Sequence, residues 1–493
     1  MTKHTRMLFA LALAMMLVIV GGAAPAMGQG RPVAAGNTPA SGFAPAQSCS
    51  CHSNFLQEWQ RSMHAQALSD PLFKTELIQA NNATAGKLGP FCVKCHGPVA
   101  TMIGQASNPA TGSAAAQGIT CTFCHQITGP TAPTNNVALL IDPSGIYRAQ
   151  ISNPTAPHPT AFSAFHNSSQ LCGSCHNVSH PANGLPVETT YSEWLASPQA
   201  KAGVTCQDCH MSGMPGEIGP ATGWDAGGGP MRSVFHMTFA GAQVGLGDPV
   251  LAETMLQSAA TLKMYEPVVL EGAKTSSATV TITNTGAGHD LPTGFTELRQ
   301  MWLQVTFVAP DGKETVLGKH TYGTVLKDAK GNYPADLWDA TGIQSDDRIP
   351  PGGSSVNSYK IVFPQGVTAG TIKAQLLYRS VPDSLASQAG VDNPVTVMAE
   401  DEQPVYTTGE AQRKANGALL TQATQSPLTP LVIAILGIVL CFAIIIYFVW
   451  AGNRSIAKAA SRGRAAREQE PGGGTSADAS TEAEDEDRQE ETE

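Results

Sequence analysis

The 493-residue sequence predicts three architectures in series: a mostly irregular region with short α-helices, an all-β Ig-like sandwich, and a single C-terminal transmembrane helix. Three observations predict it. Between Cys92 and His210 the signature Cys-x-x-Cys-His occurs four times, amid many Gly, Pro and Ser residues and few long apolar patterns. Beyond residue 266, apolar and polar residues alternate in short runs separated by turn signals, the period of half-buried strands. Leu431 to Trp450 then carry no charge over twenty residues, long enough to cross a bilayer as a helix.

The four signatures are Cys92-Val93-Lys94-Cys95-His96, Cys121-Thr122-Phe123-Cys124-His125, Cys172-Gly173-Ser174-Cys175-His176 and Cys206-Gln207-Asp208-Cys209-His210. Each reads as a covalent haem attachment site, in which two thiols add to the haem vinyls and the adjacent imidazole binds the iron from one face. Zinc sites and disulfides do not need a His after every second Cys. The motifs predict four haem c groups with His96, His125, His176 and His210 as proximal ligands. A region this poor in apolar pattern has little core of its own, and large apolar rings held covalently replace side-chain packing.

Gly118-Ile119-Thr120-Cys121 and Gly203-Val204-Thr205-Cys206 are nearly the same phrase, lying 29 residues after Cys92 and 34 after Cys172. The spacing reads as a duplicated two-haem unit. Upstream stands a copy one residue short, Cys49-Ser50-Cys51-His52. It has two readings. One is a fifth haem, held by both thiols or by Cys51 alone with His52 as axial ligand; the other is a haem-free Cys pair. A disulfide between cysteines one residue apart is strained, and His52 stands where the other motifs place their His, so the fifth haem is the favoured reading. Asn54 to Leu68 follow with Phe55, Trp59 and Met63 at helical spacing, near His64.

Several phrases resemble multihaem c-type cytochromes related to the tetrahaem cytochrome c partner of hydroxylamine oxidoreductase. They are the first motif with Trp59, Ser62, His64 and Ala65; Leu171 through His176; and Gly184-Leu185-Pro186 through Tyr191 and Trp194 to Cys206–Met211. The resemblance spans about residues 48 to 300 and departs from the pattern at Cys49 to His52. It implies a haem-bearing scaffold, and implies His64, His166 and His236 as distal ligands.

The second axial position of each iron separates electron transfer from catalysis, because a second His closes the site and an empty face admits substrate. Candidates outside the motifs are His64, His158, His166, His180, His236 and His289, whereas His320 lies in a strand-like segment and reads as an ordinary surface residue. Met211, Met214, Met231 and Met237 cluster near the last motif and read more as ring packing than as ligands.

Asp248-Pro249 predicts a helix start, with Asp as N-cap and Pro at the first position. Ala278, Val280 and Ile282 then alternate with threonines, as do Leu303, Val305 and Phe307 with polar residues. Asp311-Gly312 marks a turn, and Ser355 to Phe363 and Thr371 to Tyr378 read as strands. Seven short strands are expected. Gly288 to Gly294 resembles a phrase that follows haem domains in related proteins; either it faces the haems, with His289 capping an iron, or it is an ordinary loop.

Lys3, His4 and Arg6 before the apolar run Met7–Val20 and the small residues to Gly28 read as a secretory leader, with an uncleaved anchor as the alternative. Arg454, Lys458, Arg462, Arg464 and Arg467 after the second apolar run place the C-terminus in the cytoplasm by the positive-inside bias. Cys441 in that run is lipid-facing filler. The expected divisions are signal peptide 1–28, flexible lead-in 29–47, haem domain 48–245, connecting helix 246–265, β-sandwich 266–410, linker 411–430, transmembrane helix 431–450 and disordered tail 451–493. The chain carries a formal charge of −10, and its acidic tail argues against a nucleic-acid partner. Together these features predict a membrane-anchored extracytoplasmic cytochrome relaying electrons between redox proteins, such as other cytochromes or a periplasmic oxidoreductase. The rival is a haem oxidoreductase acting on a small nitrogen or sulfur compound at a five-coordinate haem. Spare histidines, and the lack of a Cys-x-x-Cys-Lys motif, weigh against it.

Overall fold

In the computed structural model, short helices of the first half begin where the sequence offers a cap. The structure describes residues 30–406, apart from 34, 35, 37, 132, 215, 228 and 269–275, together with 436, 438–447 and 450. Thr120 accepts the Phe123 amide at 3.2 Å, starting the Cys121–Cys124 helix at its first cysteine. Thr205 and Asp208 form a capping box that starts Cys206–His210 in the same way. The duplicated phrase is therefore a helix-starting device. Gly118 and Gly203 take φ of +65° and +80°, the left-handed region that glycine enters freely, and turn the chain into the capping threonine.

Serine caps correct one expectation. The spacing predicts a helix over Asn54–Leu68, but Ser62 is extended and its Oγ accepts the Ala65 amide at 3.4 Å. Two helices result, Ser53–Arg61 and Met63–Gln66, with His64 on the second. The stretch expected to be a flexible lead-in is also packed. Arg31–Pro32 pairs with Leu139–Ile141, and Val33, Phe43 and Ala46 are buried. With Val99, Met102, Phe123, Ile127 and Ile141, Val33 and Phe43 make a small apolar cluster where little core was expected.

The helix at Asp248-Pro249 runs from Pro249 to Ala259, and Asp248 Oδ1 accepts the Leu251 amide at 3.3 Å. It buries Ala252, Leu256 and Ala259 in the core of the β-rich region that follows, so it belongs to that region more than it connects to it. Strands are β1 (Thr261–Val268), β2 (Ser276–Thr283), β3 (Gln300–Val308), β4 (Glu314–Tyr322), β5 (Ser354–Ile361), β6 (Ala369–Arg379) and β7 (Thr396–Tyr406). They form two antiparallel sheets, ordered β1-β2-β5 and β4-β3-β6-β7. Ala278, Val280 and Ile282 of one sheet and Leu303, Val305 and Phe307 of the other are fully buried in one shared core, as their alternation predicts. Gly312 N donates to Ala309 O at 2.9 Å in the turn from β3 to β4. A short Thr324–Lys327 and Gly342–Asp346 hairpin adds to the region.

The leader, linker and tail expectations fall outside the described residues, as does much of Leu431–Trp450. Leu436, 438–447 and Trp450 are helical, with Cys441 exposed among them. No helix among the described residues is long and apolar enough to cross a membrane.

Candidate haem-binding site

All five cysteine motifs open onto one connected cavity of about 1430 Å³, beyond the roughly 300–1,000 Å³ of a single-ligand pocket. Their thiols are free. Thiols of different motifs lie close enough inside it to shift one another's ionisation: Cys49 and Cys121, Cys95 and Cys175, and Cys172 and Cys206. The neighbouring Cys121 thiol lowers Cys49 to about 6, and that of Cys172 lowers Cys206, while their partners are raised. Burial pushes Cys92 up to about 11 and Cys124 up to about 12.

The proximal candidates His52, His96, His125, His176 and His210 line this cavity, and so do His64, His158, His166, His180 and His289. Four proximal rings lie beside a second histidine. Ring centroids are 6.2 Å apart for His52–His158, 6.3 Å for His64–His176, 5.8 Å for His125–His166 and 6.3 Å for His210–His289. A metal held between two imidazoles at the roughly 2 Å His–metal bond length needs ring centres roughly 6 Å apart.

The rings are oriented from behind. Nδ1 of His96 meets Ala67 O at 3.0 Å, that of His125 Arg148 O at 2.7 Å, that of His210 Ala240 O at 2.5 Å and that of His289 Asp290 O at 2.9 Å; His52 Nδ1 contacts Asp225 O. An N–H donated to a backbone carbonyl fixes the tautomer and leaves Nε2 free to ligate. His180 Nε2 and His64 Nδ1 are buried without a partner, the orphaned atoms a metal would satisfy. Burial lowers His64 to about 3 and His96, His166 and His210 to about 4, so these rings are neutral, the form that binds a metal. Donor set, spacing and cavity fit haem.

Not every candidate converges. His236 is absent from the cavity wall; its Nδ1 pairs with Glu58 at 2.6 Å, which leaves Nε2 unengaged but facing none of the five motif histidines as a ring partner among the described residues. His320 pairs with Asp347 at 2.7 Å on β4. Met214 and Met231 are exposed, while Met211 and Met237 line the cavity. His166 lies beside His125 on the cavity wall but has both ring nitrogens engaged, Nδ1 with Ser163 Oγ and Nε2 with Cys124 O, each at 2.9 Å, so it would ligate only after giving up one of them. His96 stacks on Phe73, centroids 3.8 Å apart, and forms no ring pair with a histidine among the described residues.

A family model described as "Cytochrome c554 and c-prime" matches residues 48–126, a span holding the short motif and the next two. Among solved structures, a penta-heme cytochrome c552 from Thermochromatium tepidum is 20% identical with a TM-score of 0.57, covering 75% of this chain and 100% of that one. These matches support a multihaem c-type cytochrome. At that identity the structural likeness speaks for the fold alone: a cytochrome-like N-terminal region with short helices and a later β-rich region. A structural genomics target, SoR45, and a β-glucosidase from Kluyveromyces marxianus each overlap 30% of this chain, at 11% and 12% identity. They cover 88% and 14% of those chains, with TM-scores of 0.17 and 0.15, too low to indicate a shared fold. No curated protein sequence matches the chain.

Two tryptophans do equivalent work that sequence spacing hides. Trp59 Nε1 donates to Ile119 O at 2.8 Å and Trp194 Nε1 to Val204 O at 3.0 Å, each fastening the Gly-Ile/Val-Thr phrase that starts a motif helix. Ser62 and Ser197, three residues after each Trp, cap the next helix. Between the capped helix and its phrase the first copy inserts the α-helices Pro71–Thr84, Gly89–His96 and Pro98–Met102 and a turn at Ala114–Ala116, Gly89–His96 carrying a whole motif; the second copy inserts none. The signal was present as Trp-x-x-Ser twice, but the unequal insertion conceals it.

Proposed function

We propose that the chain carries five haem c groups and relays electrons between redox proteins outside the cytoplasm, held to the membrane by Leu431–Trp450. The observation that carries this reading is the single cavity onto which all five motifs and five further histidines open. The cysteines of each motif would attach the group, His52, His96, His125, His176 and His210 would hold it from one side, and His158, His180, His166, His64 and His289 from the other. Bound haem supplies an iron that accepts and passes one electron at a time. What the chain contributes is contiguity. The Cys49–Cys121 contact joins the first and third motifs, Cys172–Cys206 the fourth and fifth, and Cys95–Cys175 the second and fourth, while Cys124 lies electrostatically beside Cys172 and Cys175. The relay order is first, third, fourth, fifth, with the second branching at the fourth. Resemblance to the partner of hydroxylamine oxidoreductase makes a periplasmic oxidoreductase or another cytochrome the redox partner, and the two sheets make an Ig-like sandwich beside the relay. Intact mass of the secreted protein tests the count, since each haem adds a fixed increment: five supports the reading, and loss of one increment in Cys51→Ala assigns the short motif.

One observation favours a second reading, a haem oxidoreductase acting on a small nitrogen or sulfur compound. His96 alone among the five proximal candidates has a phenylalanine, and no histidine, as its ring partner. A high-spin ferric signal together with hydroxylamine or nitrite turnover, both lost in His96→Ala, would establish it.

A further inference from the structure

His289 reaches the cavity from the β-rich region, on a loop far in sequence from the motif it meets. Its ring pairs with His210 across 6.3 Å, and what keeps it there is a buried polar clamp from two other elements. Glu193, on the Thr190–Ala196 helix beside the fourth motif, receives the Asp290 amide at 3.2 Å and the Thr293 hydroxyl at 2.7 Å on Oε2. Its Oε1 takes the Thr189 hydroxyl at 2.6 Å and pairs with Arg348 Nη1. Arg348 in turn reaches Asp290 at 3.4 Å and grips both oxygens of Asp346, each at 2.8 Å. The two central side chains are 7% and 10% exposed, so water competes little for these bonds. Leu291 and Ile349 exchange backbone hydrogen bonds at 3.0 and 2.9 Å, and Asn284 Nδ2 donates to His289 O at 2.8 Å, so the loop is tied at His289 and two residues beyond it.

We propose that Glu193 and Arg348 are positioning residues that hold His289 against the site of His210, making the β-rich region the supplier and clamp of one distal ligand. Neither residue lies in a cysteine motif, and the helix carrying Glu193 is itself tied to the fourth motif by the Tyr191 amide donating to His176 O at 3.0 Å. The clamp thus fixes the distance between a wall of the cavity and a ligand from the other half of the unit. A single arginine serves three carboxylates, so its guanidinium fork cannot be replaced by a point charge without loosening one of them.

This rests on the reading of His289 as a haem ligand, and the test separates the two. In the haem-loaded full-length protein, His289→Ala should convert one haem per chain from low-spin to high-spin in the ferric EPR spectrum. Glu193→Gln and Arg348→Lys should raise the high-spin fraction of that same haem by roughly tenfold or more, the size expected when a hydrogen bond to a buried charge is lost. Added imidazole should return it to low-spin. Haem count by intact mass stays at the wild-type value in every variant. A wholly low-spin His289→Ala protein would remove the ligand reading itself. A high-spin His289→Ala protein beside wild-type spectra for Glu193→Gln and Arg348→Lys would leave that reading standing and overturn the clamp. Both clamp substitutions keep the buried cluster from holding an unpaired cation or an uncompensated carboxylate trio, so folded protein is expected from each.

Discussion

The two halves of the folded unit solve the problem of an interior in opposite ways. In the β-rich region the interior is protein: Met301, Leu303, Phe307, Ile372 and Leu376 are completely buried and interdigitate between two sheets. In the cysteine-rich region the apolar cluster around Ile127, Leu139 and Ile141 is small, and the rest of the interior is a cavity walled by thiols and imidazoles. One half closes on itself through side-chain packing; the other is built around a group the chain must acquire. Stability should therefore be local in the first and conditional in the second.

The largest expected effect removes the acquired group. Protein made without haem attachment should lose protection of backbone amides across the cysteine motifs, while β2, β3 and β6 stay protected, as measured by hydrogen exchange. Equal loss in both halves would erase the contrast. Next in size is Phe307→Ala, which opens a void in the protein-filled core and should cost about 3–5 kcal/mol in chemical denaturation while leaving the haem absorption spectrum unchanged. The smallest effect sits at the junction of the halves. Burial, with both carboxyl oxygens unpartnered, raises Glu297 to about 7, and Glu76 across the junction adds to the rise while Arg299 opposes it. A carboxyl whose folded pKa lies above its unfolded value of 4.5 stabilises fully below 4.5, and that stability is lost as pH rises through about 7. Between about pH 5 and pH 8 the wild type should lose roughly 2–3 kcal/mol relative to Glu297→Gln, read from paired denaturation curves.

Legibility in the sequence followed the same division. Strands β2, β3, β5 and β6 could be read because their alternation is the signature of one buried face. β7 could not: Glu400, Asp401 and Glu402 interrupt its pattern, yet it pairs along β6 from Thr396 to Tyr406 with Met398 and Val405 entering the core, and Lys373 on β6 lies 3.6 and 3.5 Å from Glu400 and Glu402. β4 was hidden likewise, since much of its length is exposed. In the cysteine-rich half the proximal positions were legible because haem attachment demands Cys and His at fixed local spacing. The further histidines could be named as candidates, but which of them stands beside which motif could not be read. His236, in a phrase much like that of His166, has its Nδ1 on Glu58 while His166 lies beside His125, because a side chain's partner is set by where two distant segments meet and no local pattern encodes that.

By itself, then, the sequence determined the chemistry that is short-range: which residues can attach haem, where helices start at Thr120, Thr205 and Asp248, and which strand faces are apolar. Only the tertiary structure decided what is long-range: that five motifs share one cavity, that His52 finds His158 and His210 finds His289, and that His96 is left beside Phe73. The physical reason is that caps, motif spacing and alternation act within a few residues along the chain, whereas a ligand pair and a shared cavity exist only once burial has brought separate segments together.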